Sequence, residues 1–458
     1  MNRAEKEERS RIMGEAPIKQ LVWKMSIPLM VSMMVQALYN IVDSIFVAYI
    51  SEDALTGISL VFPIQFLMIA IGTGTGVGFN AIISRCLGQK NKKAANDTAN
   101  IAVFLGICNY IVFLCIGIFG AYPFLHMQIK DAQVVRYGVT YLQLVCMLSF
   151  GLFGQITMER LLQSTGNTFY NMMSQMTGAI FNIVFDTLLI FGLGPFPKLG
   201  VAGAALATVL GQMCGMILGY LFNIRYNKEI RFSVRQMRPQ WKIMKEIYKI
   251  GIPSMVMVSL SSIMIFGLNH ILIPFTKTAV TVYGIFYKLQ NFVVMPIIGI
   301  NNAIVPIVGY NFGAKKKERI REVYKCGCKN ATVFTWIGFL VFELFPEELL
   351  SLFSASDALI RTGVTAFRIM GILFLVASIP MISSGFYQGL GKSMYSLLVS
   401  FIRQMLVLLP MAYLLSQIGD LNLVWWSLPI AEGAGVIAAL ILSKKIFGQL
   451  DKMMEALE

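Results

Sequence analysis

The sequence predicts an all-α integral membrane protein, with 12 transmembrane helices in two six-helix lobes related by a parallel, pseudo-two-fold repeat. Three observations carry this. The apolar fraction of the 458 residues is 56% and the charged fraction only 14%, against roughly 45–50% and 25% in soluble domains. The apolar residues gather in runs long enough to cross ~30 Å of hydrocarbon as helices. Short motifs also return at one constant offset of 225 positions. Ile27-Pro28 returns as Ile252-Pro253, and Leu87-Gly88-Gln89-Lys90 as Phe312-Gly313-Ala314-Lys315. Gln163-Ser164-Thr165-Gly166-Asn167 returns as Gln388-Gly389-Leu390-Gly391-Lys392. One offset across three separated anchors marks two equal halves.

In the first half the apolar runs place spans near 21–50, 54–85, 95–122, 134–163, 168–192 and 200–225. In the second half they fall near 248–274, 278–310, 326–346, 358–390, 394–416 and 422–445. Six spans per half is an even number, so both halves enter the membrane from the same side and the repeat is parallel. The expected organisation is a cytoplasmic tail (1–20), an N-lobe (21–225), a basic linker (226–247), a C-lobe (248–446) and a second tail (447–458). In a chain this apolar, paired halves point to a transporter with its pathway between them. Glycines 72, 74, 76 and 78 in the second span and 203 and 211 in the sixth let helices approach closely.

The formal charge of +14 raises nucleic acid as a partner, but its distribution argues otherwise. Lys and Arg cluster at Arg3 to Lys24, Arg85 to Lys93, Arg225 to Lys249, Lys315 to Lys329 and beyond Ser443. The intervening loops are poor in basic residues, so alternate loops are positive and both termini are expected in the cytoplasm. The partners of that charge are anionic lipid headgroups of the cell membrane, with no nucleic acid. The first 20 residues are highly charged and lack an apolar core, so no cleavable signal is expected. Seven scattered Cys imply no metal or disulfide framework. Gly391-Lys392-Ser393 resembles the end of a phosphate loop, but Phe386 occupies the required first glycine. His126 and His270 form no HExxH and no GxSxG is present, so an enzyme is not expected.

Ionisable residues within spans are costly and mark pathways or partners. The first half has Asp43, Glu159 and Asp186, and the second has Lys288, Arg368, Arg403 and Glu432. At the constant offset Asp43 maps to Leu268 and Asp186 to Met411, so the chemistry is asymmetric where the architecture is not. At about 1.5 Å per residue, Asp43, Asp186 and Thr208 lie roughly 10, 9 and 12 Å inside the outer ends of their helices. Asn182 stands one turn below Asp186 on the same face. Two carboxylates, an amide oxygen and a hydroxyl at one level suit a hard cation or an exchangeable proton. The plainer reading is that the two acids hydrogen-bond between helices. Glu159 either binds a cationic substrate or pairs internally with a basic side chain. Lys288, Arg368 and Arg403 read as snorkelling or ion-paired, or as a cationic cavity if they converge.

These segments resemble the multidrug and toxin extrusion (MATE) family over essentially the whole chain, and most of all its bacterial and archaeal branch with a cation site in the N-terminal lobe. The resemblance rests on Ile27-Pro28 with Asp43, Leu87-Gly88-Gln89, Gln163-x-x-Gly166-Asn167, Asn182-x-x-x-Asp186 and the run from Gly200 to Thr208. In the second half, Pro306-x-x-Gly309-Tyr310-Asn311-Phe312-Gly313 and Gln388-Gly389-x-Gly391 add to it. It implies efflux of amphipathic, often cationic compounds by Na⁺ or H⁺ antiport with no cofactor, carried out by a monomer. It also implies that Asp43, Asn182, Asp186 and Thr208 hold the cation, with Gln36 near the same cavity. Met33, Tyr39, Asn40, Phe153 and Glu159 complete the expected substrate cavity, where Met and aromatic side chains re-pack around varied ligands. The positions where other branches place acids in spans 7 and 10 carry none here, Ser261 standing at the first. The alternative is a flippase of lipid-linked intermediates, which requires a cationic cavity.

Overall fold

The computed structural model describes residues 12–233, 236–353 and 357–455. Among these residues every regular element is a helix and no strand occurs. The first half contains α1 (Ile18–Ala48), α2 (Glu52–Gly88) and α3 (Lys92–Cys115), which passes through a π-helical turn (Ile116–Gly120) into α4 (Ala121–Gln128). It continues with α5 (Ala132–Met147), α6 (Phe150–Ser164), α7 (Thr168–Phe191) and α8 (Val201–Tyr226). The second half contains α9 (Trp241–Leu272), α10 (Lys277–Gly313), α11 (Lys317–Leu344), α12 (Pro346–Ser351), α13 (Asp357–Gly371) and α14 (Ser378–Gly389). There α15 (Ser393–Phe401) runs through a π-helical segment (Ile402–Leu408) into α16 (Leu409–Ser416), followed by α17 (Leu421–Trp425) and α18 (Ser427–Glu455).

Among the described residues nine helices are long and apolar enough to cross a membrane, or eleven with two bent pairs each counted as one span. The pairs are α5 with α6, bent by 46°, and the helices of 359–375 and 378–389, bent by 44°. The expected twelfth span falls on α11. Its 28 residues are long enough, but Lys317, Arg319, Arg321, Lys325 and Lys329 load its first half and Glu343 its end. The all-helical, doubled architecture therefore stands, and length and apolarity do not reproduce the count of 12.

Two of the three sequence anchors turn out to be the ends of helices, while Pro28 and Pro253 lie inside α1 and α9. Lys90 and Lys315 adopt φ of 59° and 57°, and Gly166 and Gly391 adopt 80° and 75°. Around each pair the same terminating hydrogen bonds recur. Asn91 N–H donates to Cys86 O as Lys316 N–H does to Asn311 O (2.9 Å each), and Asn167 N–H to Leu162 O as Lys392 N–H to Tyr387 O (2.8 Å each). A left-handed residue followed by this six-to-one bond closes a helix. Gly391-Lys392-Ser393 is accordingly a helix terminator. The starts match too: Ser51 and Thr276, 225 positions apart, each accept the backbone N–H three residues on at 3.0 Å, from Ala54 and Ala279.

The chain forms two compact units, Met1–Glu15 with Val31–Met255, and Ala16–Met30 with Val256–Glu458. The first helix of each half thus changes unit part-way, at residue 30 in α1 and residue 255 in α9. Within the first unit, α9 packs on α2 at Gly74, where a Cβ would stand 2.4 Å from Met255 Cγ and 2.8 Å from Gly251 O. Within the second, α1 packs on α10 at Gly299, where a Cβ would stand 2.6 Å from the Met30 Cα. Gly74 and Gly299 are again 225 apart, so the repeat is kept down to single packing contacts. Each unit has its own apolar core. Phe113 stacks on Phe153 (centroids 5.5 Å apart) in the first. Phe286, Phe342 and Phe374 cluster in the second, Phe342 lying 5.1 Å and 5.3 Å from the others.

Candidate functional site

Helices α7 and α8 approach closely because glycines face each other. A Cβ on Gly211 would stand 2.6 Å from Gly178 O and 3.0 Å from Asn182 Cβ, and one on Gly178 would stand 2.8 Å from Gly211 O. That approach brings polar side chains from two helices together. Asn182 and Asp186, four residues apart on one face of α7, are 3% and 0% exposed. In one orientation of its amide, Asn182 Nδ2 donates to Thr208 Oγ1 of α8 (3.3 Å). In the other, Nδ2 donates to Asp186 Oδ2 (3.2 Å) while Oδ1 accepts from the Thr208 N–H (3.1 Å). The second orientation satisfies both ends of the amide and is the one the local donors and acceptors select. Substituting Gly211→Val is expected to push α7 from α8 and destabilise the protein by roughly 1–3 kcal/mol. Thermal unfolding in detergent checks this, and an unchanged melting temperature would refute the close packing.

The side chains of Asp43 and Asn40 lie outside the described residues, but the backbone of α1 through residue 43 is helical. Two contacts fix its register along α7. Gln175 Nε2 donates to Gln36 Oε1 (3.3 Å), and Phe46 meets Phe191 edge-on with centroids 6.1 Å apart. Both helices therefore run the same way past each other. Counting seven residues on from Gln36 and three back from Phe46 places the backbone of residue 43 opposite residues 182–188 of α7, the stretch that contains Asn182 and Asp186. Gln175 was not singled out from the sequence, although it lies seven residues before Asn182 on the same stripe of α7.

The other expected cavity residues are distributed differently. Met33, Gln36 and Tyr39 are half-buried on α1. Phe153 is 2% exposed and stacked on Phe113, which places it in the packed core. Glu159 is buried on α6, where its Oε1 accepts from Gln155 Nε2 (2.8 Å). Its neighbour Arg160 instead donates from Nη1 to Gln163 Oε1 (2.9 Å). Gln155 fits beside α8 only because residue 215 is Gly: a Cβ there would stand 2.8 Å from the amide. The signal for Gln155 was its position one turn before Glu159.

In the second unit Leu268, the counterpart of Asp43, is fully buried in an apolar core. Of the three basic residues in question, Arg403 bonds Glu432 (3.0 Å), Arg368 lies 3.9 Å from Glu343, and Lys288 is exposed. Two of the charges are thereby neutralised, and the cationic cluster that a lipid-phosphate carrier requires does not form from them.

The MatE family model matches residues 28–188 and again residues 253–414. Multidrug export protein MepA of Staphylococcus saprophyticus subsp. saprophyticus is 24% identical over 418 residues, which cover 91% of each chain. MepA of Staphylococcus aureus strain MRSA252 is 22% identical over 438 residues, covering 95% of this chain and 96% of that one. Among solved structures, an outward-facing conformation of a multidrug resistance MATE family transporter of the MOP superfamily superposes with a TM-score of 0.91 at 24% identity, covering 97% of this chain and 99% of the other. A MATE structure in a bent conformation gives 0.90 at 23% identity, covering 98% and 99%. The fold is that of these transporters, and the family pattern is matched once in each half. The chain belongs to the MatE family.

Proposed function

We propose that this protein is a secondary active multidrug exporter that moves amphipathic, often cationic compounds out of the cell by antiport with Na⁺ or H⁺. The observation that carries this reading is the juxtaposition of Asn182, Asp186 and Thr208 at one level of the first unit. The position of residue 43 opposite residues 182–188 of α7 supports Asp43 as its fourth member. Carboxylate, amide and hydroxyl oxygens are the ligands hard cations take, and a carboxylate at that depth also accepts a proton. Membership in the family and likeness to MepA proteins support export as the transport direction.

The cation enters from outside, neutralises the N-lobe carboxylates and changes the bend or packing of α1. Substrate is released outward, and loss of the cation to the cytoplasm resets the cycle. Coupling requires ion and substrate to bind the two orientations with different affinity. Glu159, held by Gln155, is a candidate partner for cationic substrates. The protein works as a monomer in the cytoplasmic membrane, with both termini inside, and carries out no catalysis.

The test is export of a cationic dye from sealed vesicles containing the purified protein, with Na⁺ and pH gradients imposed separately. One gradient is expected to drive export and so to name the coupling ion. Dye export under neither gradient, together with saturable binding of a lipid pyrophosphate, would move the protein to the flippase reading.

A further inference from the structure

The second unit contains a cavity of about 160 Å³ that the export mechanism does not use. Its lining joins α9 and α10 to the π-helical segment Ile402–Leu408 and to α18. A π-helical turn widens a helix by one residue and often marks a functional position. Here it carries Arg403 and Gln404, which both line the cavity. Gly435 leaves room for the arginine stem, since a Cβ there would stand 3.1 Å from Arg403 Cδ. In the first unit the equivalent pair of helices, α7 and α8, holds the acid, amide and hydroxyl described above.

The polar groups of this cavity are unevenly satisfied. Arg403 bonds both Glu432 oxygens from one nitrogen, Nη1, at 3.0 and 3.1 Å. The guanidinium therefore retains Nε and Nη2 as further donors. Its side chain is 25% exposed, against 9% for that of Glu432, which puts the arginine at the mouth. Tyr283 is 1% exposed and Gln404 5% exposed. Both line the cavity, yet Tyr283 Oη and Gln404 Oε1 have no hydrogen-bond partner among the described residues. Buried polar atoms without partners are rare because each forgoes the hydrogen bond it had in water. The remaining wall is mixed: Ser261, Tyr287, Gln290, Asn291 and Thr335 stand among apolar side chains such as Phe374 and Leu408.

We propose that this cavity is a second binding site, for a compact, net-neutral molecule with one ring and a primary amide or similar paired donor and acceptor. Size sets the ring, because a cavity of about 150 Å³ takes up benzene. Charge sets neutrality: Arg403 and Glu432 already compensate each other and are the only charged side chains in the lining, so a ligand bringing a net charge finds no counter-charge there. The polar pattern sets the functional group. A carbonyl accepts from Tyr283 Oη or the free guanidinium nitrogens, an N–H donates to Gln404 Oε1, and the ring lies against Phe374 and Leu408. The site is separate from Asp186 and does not depend on the export reading.

Benzamide is the probe, with benzoate and benzylammonium as charged analogues of equal size, titrated by saturation-transfer NMR against the full-length protein in micelles. Benzamide is expected to bind saturably and more tightly than either analogue. Tyr283→Phe and Gln404→Leu are each expected to weaken it by roughly 3- to 10-fold, and Asp186→Asn to leave it unchanged. No saturable binding, tighter binding of a charged analogue, or equal binding by both variants would overturn the proposal. Hydrogen exchange on the wild-type protein needs no variant to fold. Benzamide is expected to slow exchange in the peptide covering 402–408, and slowing confined to other regions also overturns the site.

Discussion

Asp186→Asn is expected to reduce gradient-driven dye export by roughly tenfold or more while the protein still folds. Asparagine keeps the size of the side chain and can still pair with Asn182, whose amide stands 3.2 Å from the carboxylate. What it loses is the negative charge. A hydrogen bond or ion contact to a charged group contributes roughly 1.5–3 kcal/mol, which corresponds to about 10- to 100-fold in cation affinity. Because Asp186 is fully buried, solvent does not screen that loss. The measurement is export from vesicles under the gradient that drives the wild type, beside substrate binding with no gradient. Binding is expected to persist and coupling to fail. Undiminished gradient-driven export by the variant would remove Asp186 from the coupling site and leave the Asn182–Thr208 contact as a helix-packing feature. Asp43→Asn is expected to behave alike, since residue 43 stands opposite the stretch of α7 that contains Asp186.

The largest effect on stability is expected at Glu432. Its carboxylate accepts both hydrogen bonds from Arg403, and Glu432→Leu leaves that guanidinium without its counter-charge. Removing one partner of a buried pair costs roughly 3–5 kcal/mol, and the partial exposure of Arg403 places this case towards the lower end. Removing both partners is a different matter, because two desolvation penalties disappear together. Arg403→Met combined with Glu432→Leu is therefore expected to recover most of the lost stability. Thermal unfolding of wild type, single and double variants in one detergent checks the pattern. A double variant no more stable than the single one would show that the pair fixes the packing of α18 by geometry and not by charge balance.

The architecture was legible in the sequence because its signals are local. A lipid environment demands helices, and apolar runs report them directly. The duplicated motifs were equally legible, and two of them now have a reason: they are the helix ends at Lys90 and Lys315, and at Gly166 and Gly391, whose backbone conformation constrains residue type. The span at α11 reads less plainly, because a basic stretch from Lys317 to Lys329 runs without a break into the apolar part of the helix. Asn182, Asp186 and Thr208 could be nominated from helical spacing and depth. Their meeting depends on the Gly178–Gly211 approach, which spacing does not reveal. Phe153 shows the reverse. An aromatic residue on α6 reads alike whether it faces a cavity or a core, and only its stack on Phe113 decides.

The sequence by itself determined the class of this protein and its two equal halves, and it nominated cation ligands only in the first. Those properties follow from composition, periodicity and the identity of residues at matching positions. The tertiary structure alone decided which polar groups are partners. Arg403 could have joined Lys288 and Arg368 in a cationic cavity, but the packing of α18 brings Glu432 to it and cancels the charge. The exchange of the opening segments of α1 and α9 between units was likewise invisible. Nothing in those segments, Pro28 and Pro253 included, names the helix on which each one packs. The choice of neighbour rests on backbone approaches at Gly74 and Gly299, set by helices distant in the chain.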